Sequence, residues 1–475
     1  MADLPRRKFL KTIGSVAVAS ALPVRVFSTQ SQPPSIALFG EPYFPVSYEG
    51  EAQLDLLQRV LRDFRVVVLN ERDLIAQLDA ARFDLLITAN GSCFPKRAWS
   101  VLLKYLRAGG NWLNIGGVPL MRPVVRAGGK WRMEDPQAAY HKRLGITHSF
   151  PVDVNKVTAY KTAPELSSHS AFSDQIKPKQ IHELYVRLSS TSNEPDEAGS
   201  DGPHEGVVRP LLFAYNEAGR AIAAPIIEID RWTAEFAGGR WVFANFDGQF
   251  DSVALLTMVQ RALQGASRFE VKSEFASYQP GEAPSFTVEL ARKKGDLERL
   301  AAGGCQIVIG DSDNMAVSRL QVPLKVEGAK ATGSVKLAIR EQLKPGFYQV
   351  HAVLNSSSQR LSHVSGFWIY DEALLARGKP LTADKHFFYR DGQVFPVTGT
   401  TYMASDKHRR YLFEPNPFVW DKDFREMKAA GVNMIRTGIW TGWKKYMTEP
   451  GKFSEATLRA FDAFLLTAHK HDIPV

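Results

Sequence analysis

Residues 427–440 read MKAAGVNMIRTGIW, and this stretch decides the fold of the C-terminal part of the chain. Residues 421–430 predict a helix with Phe424 and Met427 on one side, ending at Gly431. Residues 431–439 predict a buried strand that follows at once. A helix that leads directly into an apolar strand is typical of α/β architecture.

The flanking segments extend this pattern in both directions. Upstream, residues 387–397 predict a hairpin around the Asp391-Gly392 turn, and residues 397–402 predict a strand. Downstream, residues 454–469 predict a helix, and residues 473–475 begin a further strand. The apolar residues expected on the inner face of that helix are Leu458, Phe461, Leu465 and Ala468. The order β-α-β-α-β predicts the first strands of a (β/α)8 TIM barrel over residues 385–475.

Two motifs carry a family resemblance. DGQVFPVTGTTY at residues 391–402, together with residues 427–440, resembles the retaining clan of glycoside hydrolases that includes β-galactosidases, cellulases and mannanases. The resemblance implies a protein that hydrolyses O-glycosidic bonds of oligo- or polysaccharides. In that clan the two catalytic carboxyl groups follow the fourth and seventh barrel strands, whereas this sequence reaches only the third. We therefore expect an N-terminal fragment that contains no catalytic residue and has no glycosidase activity of its own.

The same resemblance implies four substrate-binding residues. Arg436 matches the arginine that ends the second strand and lies near the nucleophilic carboxylate, which a guanidinium can hold bidentately. Tyr402, at the end of the first strand, is expected to line the sugar site. Trp440 and Trp443 follow the second strand, where their rings could stack on sugars. The alternatives are a structural ion pair for Arg436 and simple loop packing for the tryptophans.

Residues 403–419 form a connection that is long for its place between a strand and a helix. Such length is typical of functional loops. The segment contains several charged residues, including Asp406, His408 and Glu414. Each of them, taken alone, is better explained as part of a solvated, charged surface.

Residues 267–372 lack helical periodicity and show short alternating runs separated by turns such as residues 279–282. This pattern predicts an all-β, immunoglobulin-like sandwich. A sugar-binding module would need exposed aromatic rings. The aromatic residues of this segment fall within strand patterns and are expected in its core, namely Phe347, Tyr348, Phe367 and Trp368.

Residues 34–266 alternate apolar strands with amphipathic helices, which predicts a parallel sheet covered on both faces. FDLLIT at 83–88 and LRAGGNWL at 106–113 resemble the flavodoxin-like class I glutamine amidotransferase fold, an accessory domain in some β-galactosidases. Some of those enzymes use the domain at a trimer interface. The resemblance therefore implies that this chain could form a homo-oligomer through the same domain.

Neither a catalytic thiol nor a cofactor site is expected in residues 34–266. Cys93 lies in NGSCFP at residues 90–95, which lacks the second glycine of a nucleophile elbow, and no His-x-Glu partner follows. No G-x-G-x-x-G joins a strand to a helix, which argues against a dinucleotide site. We expect a structural thiol, no cofactor and no metal.

Residues 6–11 read RRKFLK and match the twin-arginine export signature. A short apolar stretch at 12–22 and small residues at 17–21 complete a signal peptide, assigned to residues 1–30. The sequence therefore predicts a periplasmic or extracellular protein.

Charge and composition limit the partners. The 475 residues carry a formal charge of +9, but the basic residues are scattered among acidic ones, so a nucleic-acid partner is not expected. No segment after the leader is apolar enough to predict a membrane span. Carbohydrate is the expected partner. Two alternatives stay open: a non-catalytic carbohydrate-binding or scaffold protein, and hydrolysis or amide transfer by the first domain.

Overall fold

The computed structural model describes residues 33–47, 54–163, 172, 176, 178–189, 204–292, 297–338, 343–356, 360–438 and 446–475. Below, the first part means residues 34–266, the second part residues 267–372 and the third part residues 385–475. Tryptophans 440 and 443 and the leader lie outside the described residues.

Among its described residues, the first part contains fourteen strands, eight of which form one large mixed sheet. Its strands are β1 (Ser35–Phe39), β2 (Arg65–Leu69), β3 (Leu85–Thr88), β4 (Cys93–Pro95), β5 (Asn111–Ile115), β6 (Arg122–Ala127), β7 (Lys130–Met133), β8 (Ile146–Val152), β9 (Ala159–Thr162), β10 (Gln180–Val186), β11 (Gly206–Tyr215), β12 (Ala221–Arg231), β13 (Arg240–Ala244) and β14 (Phe246–Asp247). Its helices are α1 (Leu54–Val60), α2 (Glu71–Gln77), α3 (Trp99–Arg107), α4 (Ala138–Arg143) and α5 (Ser252–Leu263).

The strand order of this sheet is β2-β1-β3-β5-β13-β12-β11-β9. In this spatial order the first five strands, β2, β1, β3, β5 and β13, run parallel to one another, as predicted. The last three, β12, β11 and β9, pair antiparallel with their neighbours. The connection from β11 to β12 is too short for a parallel crossover, so these strands must form a hairpin. Leu57 of α1 and Met258 of α5 pack on one face of the sheet, and Leu74 of α2 and Leu106 of α3 on the other.

Strand β10 lies within residues 156–207, where the sequence suggests irregular structure. Along this strand only Ile181 is buried, and the other side chains are half-buried or exposed. Its sequence, QIHELYV, does not alternate regularly between apolar and polar residues, so periodicity does not predict the strand. Strand β10 pairs with β8 and β14 in a separate three-stranded sheet.

The second part consists of two sheets that share one apolar core. Its strands are β15 (Arg268–Ser273), β16 (Ser277–Tyr278), β17 (Ser285–Ala291), β18 (Cys305–Gly310), β19 (Ala316–Val322), β20 (Lys325–Glu327), β21 (Lys330–Lys336), β22 (Gly346–Asn355) and β23 (Arg360–Ile369). Helices α6 (Leu297–Ala301) and α7 (Glu372–Ala376) accompany them. The sheet orders are β15-β17-β21-β20 and β16-β23-β22-β18-β19, and residues of both sheets meet in the core.

Among the described residues of the third part, one pair of strands is parallel. The strands of this part are β24 (Thr382–Ala383), β25 (Phe388–Arg390), β26 (Gln393–Val394), β27 (Gly399–Thr401), β28 (Met434–Arg436), β29 (Met447–Glu449) and β30 (Lys452–Phe453), and its helices are α8 (Pro417–Ala429) and α9 (Glu455–Lys470). Strands β27 and β28 pair in parallel, with α8 between them along the chain. The backbone N–H of Ile435 also donates to the carbonyl of Pro474 at 2.9 Å.

Local chemistry explains where these elements begin and turn. Asp391 and Gly392 both have positive φ angles, 55° and 72°, as a two-residue hairpin turn of this hand requires. Helix α8 starts before residue 421 because the Asn416 side chain accepts a hydrogen bond from the Phe418 N–H, and Pro417 suits the first turn.

The inner face of α9 differs from the expected one. Leu458 and Leu465 are each 38% exposed, while Ala460, Ala463 and Thr467 are buried. The face is rotated because α9 packs against α8 and against the second part, where Thr467 accepts a hydrogen bond from Trp368. The inward orientation predicted for Leu458 and Leu465 is therefore wrong.

The second and third parts share a buried cluster. Phe347 and Trp368 of the second part belong to the same apolar cluster as Tyr402, Trp420 and Phe464 of the third. The four aromatic residues predicted to lie in the core of the second part are all buried. Tyr348 and Phe367 belong to that core, whereas Phe347 and Trp368 belong to the shared cluster. The prediction of a multidomain chain of mixed α/β character is confirmed, and the sheets of the described residues include no closed barrel.

Candidate functional site

Two of the predicted binding residues meet at the carboxyl ends of β27 and β28. Thr401 pairs with Arg436 in the strand register, and the N–H of Tyr402 donates to the carbonyl of Arg436 at 2.8 Å. Arg436 is exposed. Loops at the carboxyl ends of parallel strands usually build the active face of α/β barrels, so this edge is a candidate site.

The ring of Tyr402 lies inside the third part. The side chain is 3% exposed, and its ring packs against Tyr411, Phe424 and Phe464 with centroid distances of 5.4–5.7 Å. Its hydroxyl donates to Oδ2 of Asp423 at 3.0 Å. Burial, together with the negative charge of Asp423, raises the pKa of the phenol far above its ordinary value. A role for Tyr402 in lining the sugar site stays a prediction, as do the roles of Trp440 and Trp443.

The long connection that follows Tyr402 is folded against the rest of the protein. Oδ2 of Asp423 accepts a hydrogen bond from the N–H of Ser405 at 2.9 Å, and Arg410 pairs with Glu414 at 2.7 Å. The side-chain amide of Asn416 donates to the carbonyl of Val364 in β23 at 3.1 Å. These contacts place the connection between the third part and the second, and the ring of His408 lies 6.0 Å from that of His204 in the first.

The connection borders a partly open cavity of about 680 Å³ where all three parts meet, which we call the junction cavity. Its polar lining includes Arg209 and Trp232 from the first part, Glu270 and His363 from the second, and Asp406 and Lys407 from the third. The volume lies within the range of roughly 300–1,000 Å³ typical of small-molecule sites. Neither Tyr402 nor Arg436 is among its lining residues.

Glu270 supplies a fixed negative charge in this cavity. Its carboxylate lies 3.2 Å from Nζ of Lys272, 3.9 Å from Nζ of Lys407 and 2.9 Å from Nη2 of Arg268. Burial alone would raise the pKa of Glu270, but the three cations outweigh it and lower the pKa to about 2. Glu270 is therefore ionised throughout the physiological pH range.

Asp406 behaves in the opposite way. Burial raises the pKa of its carboxyl group to about 6, and the charge of Lys407 offsets only part of that effect. Its Oδ1 atom is buried and accepts no hydrogen bond from any described residue. Asp406 can therefore release or take up a proton in weakly acidic solution. Opposite pKa shifts of two carboxyl groups in one cavity can serve acid–base chemistry, although ion pairing alone also produces them.

Two further aromatic groups border the cavity. The indole N–H of Trp232 is buried and has no acceptor among the described residues, while the guanidinium of Arg268 lies over its ring, 5.3 Å from the centroid. Nδ1 of His363 accepts a hydrogen bond from the N–H of Val271 at 3.2 Å. Burial lowers the pKa of His363 to about 4, so its ring is neutral at pH 7.

Sequence reasoning identified only one side of this cavity. The connection at 403–419 is visible as a long charged loop, but Trp232, Glu270 and His363 lie on separate strands or strand ends with no shared motif. In the described part of the chain, no group of three or more His, Cys, Asp or Glu residues is placed to hold a metal. None of the described helices combines the length and apolar character needed to cross a lipid bilayer.

Comparisons with known proteins give only distant similarities. No protein-family model and no curated protein sequence matches the chain. Among solved structures, β-glucuronidase 3 of Bacteroides uniformis is similar at 17% identity over 42% of this chain and 22% of its own, with a TM-score of 0.19. A glycosyl hydrolase family 2 member from Bacteroides cellulosilyticus is similar at 16% identity over 41% of this chain and 24% of its own, with a TM-score of 0.18.

A ThuA-like protein of Bacteroides uniformis is also similar, at 11% identity over 51% of this chain and 95% of its own, with a TM-score of 0.26. The chain thus spans less than a quarter of the length of the glycosidases that it matches. At TM-scores this low, none of these similarities establishes a shared fold or a function.

Proposed function

We propose that the protein is an exported, glycoside hydrolase-related protein that engages oligo- or polysaccharides. The observation that carries the proposal is the carboxyl edge of the parallel pair β27–β28, where Arg436 is exposed beside the long folded connection. The sequence resemblance implies a barrel active face at this edge. An immunoglobulin-like second part and an amidotransferase-like first part, able to mediate oligomerisation, belong to the same proposal.

Arg436 provides the direct test. Titration calorimetry of the full chain with β-1,4-linked gluco-, manno- and galacto-oligosaccharides is expected to show binding of at least one of them. Arg436→Ala should raise its Kd roughly tenfold, because a charged hydrogen-bond donor contributes about 1.5–3 kcal/mol. Arg425→Ala, which changes an exposed arginine on α8, is the matched control and should bind normally. Absence of binding by the wild-type chain would overturn the proposal.

A non-catalytic carbohydrate-binding or scaffold protein is the second candidate, and the junction cavity favours it. The cavity joins all three parts and could hold a saccharide without any reaction at the strand edge. Arg436→Ala separates the two candidates. Weaker binding by this variant supports the hydrolase-related strand edge, whereas binding that Arg436→Ala leaves unchanged supports the non-catalytic protein.

Export by the twin-arginine route completes the proposal. Replacement of Arg6 and Arg7 by lysine should retain the protein in the cytoplasm of a bacterium that has this route, because the receptor reads the arginine pair. Immunoblotting of periplasmic and cytoplasmic fractions measures the outcome. Unchanged export of the double variant would contradict this assignment.

A further inference from the structure

Three basic groups that line the junction cavity are paired with carboxylates. Arg209 lies 2.7 Å from Asp230, Lys272 lies 3.2 Å from Glu270, and Lys407 lies 3.2 Å from Glu414. An anionic ligand would have to displace one of these carboxylates. The cavity therefore does not suit an anionic ligand.

Two polar groups of the lining have unused hydrogen-bonding capacity. The indole N–H of Trp232 can only donate, Oδ1 of Asp406 can accept, and both atoms are buried without a partner among the described residues. Burying such groups costs free energy unless a ligand or water satisfies them. A ligand that completes both hydrogen bonds must carry groups that accept as well as donate.

Hydroxyl groups meet this requirement, because each both donates and accepts. We propose that the junction cavity binds a neutral saccharide unit, with hydroxyl groups accepting from Nε1 of Trp232 and donating to Oδ1 of Asp406. This binding site is distinct from the strand edge that carries Arg436, so a titration of the wild-type chain should show two sites, and each variant should weaken only its own site. The inference rests on the proposed function only in taking carbohydrate as the ligand.

Trp232 tests the donor. In the same calorimetric titrations, Trp232→Phe removes the N–H but keeps an aromatic face for Arg268, and Kd should rise roughly tenfold. Trp99→Phe is the matched control, since Trp99 is a half-buried tryptophan of α3 that does not line the cavity. Its affinity should equal that of the wild type.

Asp406 tests the acceptor. Asp406→Leu removes the accepting oxygen and should also raise Kd roughly tenfold, whereas Asp406→Asn keeps an amide oxygen there and should stay within about threefold of the wild type. Asp462→Asn controls for loss of a partly buried carboxyl group on α9, outside the cavity. Thermal unfolding of each variant verifies that it is folded. Should Trp232→Phe fail to fold, the leucine and asparagine variants at position 406 decide.

The outcomes separate this inference from the proposed function. The cavity site is overturned if Trp232→Phe and Asp406→Leu both bind with wild-type affinity. If Arg436→Ala binds more weakly in the same experiment, the proposed function still stands. No binding by the wild-type chain overturns both. Weaker binding in both cavity variants, with rescue by Asp406→Asn, supports the cavity site.

Discussion

The thiol of Cys93 is enclosed in the core of the first part. It is 4% exposed and lies at the start of β4, with its sulfur 3.4 Å from that of Met133. Burial raises the pKa of Cys93 to about 12, despite the opposing charge of Arg122. A thiol held protonated in this way is a poor nucleophile, which weakens the case for chemistry by the first part.

We therefore expect Cys93 to resist modification. At pH 8 the native chain should release little chromophore with a disulfide reagent, because the buried thiol is neither ionised nor accessible. In denaturant both Cys93 and Cys305 should react. Rapid reaction of one thiol in the native chain, abolished by Cys93→Ala, would contradict this expectation.

Asp406 gives a prediction about pH and stability. Its folded pKa of about 6 lies above the ordinary value of 3.8, so the folded state binds more protons between these values. Stability from this group is full below pH 3.8 and is lost as the pH rises towards 6. Asp406→Asn removes that loss and should raise the free energy of unfolding at pH 7.5 by about 1–3 kcal/mol.

Urea unfolding at pH 4 and pH 7.5 measures this effect. The gain of Asp406→Asn over the wild type should be close to zero at pH 4 and largest at pH 7.5. An equal gain at both values would show that the carboxyl group is not the cause. A more stable Asp406→Asn also makes any change in its ligand affinity interpretable as a binding effect.

At the scale of elements, a buried ion-pair network joins β11, β12, β13 and α5. Asp230 of β12 accepts two hydrogen bonds from Arg240, at 2.6 and 2.8 Å, and one from Arg209 at 2.7 Å. Glu228 of the same strand accepts from Arg261 at 2.6 Å. Asp230 and Glu228 are fully buried, so strand β12 depends on these partners to keep its charges in the interior.

Asp230→Asn should therefore be strongly destabilising. It leaves the buried guanidinium of Arg240 without its main counter-charge, which costs about 3–5 kcal/mol. Glu327→Gln, in an exposed pair with Lys325, is the control and should change stability by less than about 1 kcal/mol. Denaturant unfolding of both variants measures the difference, and equal small effects would contradict the assigned importance of the network.

A buried hydrogen bond links β23 to α9. Nε1 of Trp368 donates to Oγ1 of Thr467 at 2.9 Å, and Thr467 also donates to the carbonyl of Ala463. Thr467→Val leaves the indole N–H unsatisfied and should lower the free energy of unfolding by about 1–3 kcal/mol. In a double-mutant cycle, adding Trp368→Phe should cost less in the valine background than in the wild type. Additive losses would mean that the two side chains are not coupled.

At the scale of the whole molecule, stability should depend on acid-sensitive groups at the junction. The folded pKa of His363, about 4, lies below its ordinary value of 6.5, so its stabilising effect is present above pH 6.5 and lost as the pH falls towards 4. Glu270, with a folded pKa of about 2, contributes above pH 4.5 and loses its effect as the pH falls towards 2. Both groups lie where the parts meet, so acid should weaken that contact.

Urea unfolding between pH 7 and pH 3 tests this expectation. Glu270→Gln should be less stable than the wild type at pH 7, where the carboxylate neutralises Lys272 and Lys407, and the difference should shrink below pH 4.5. Glu298→Gln, which changes a carboxylate of α6 away from the junction, is the control. A constant difference for Glu270→Gln across this range would contradict the pKa assigned to Glu270.

Much of the local structure was predictable. Helices α3, α5 and α9 and strands β1, β3 and β5 follow periodicity and capping that lie within the element itself. Strand β10 and the buried face of α9 were not predictable, because their burial depends on neighbours that are distant in the sequence. At the candidate site, the sequence indicated Arg436 and the loop after Tyr402, and Tyr402 proved to be a buried ring.

By itself, the sequence determined the succession of helix and strand in residues 391–402 and 427–440, because hairpin turns, helix ends and apolar strands are encoded by adjacent residues. Only the tertiary structure decided that Trp232, Glu270 and Asp406 line one cavity. These residues come from different parts of the chain, and only the packing of those parts brings them together. Their environment, including the opposite pKa shifts of the two carboxyl groups, arises from burial and from charges that the sequence order does not reveal.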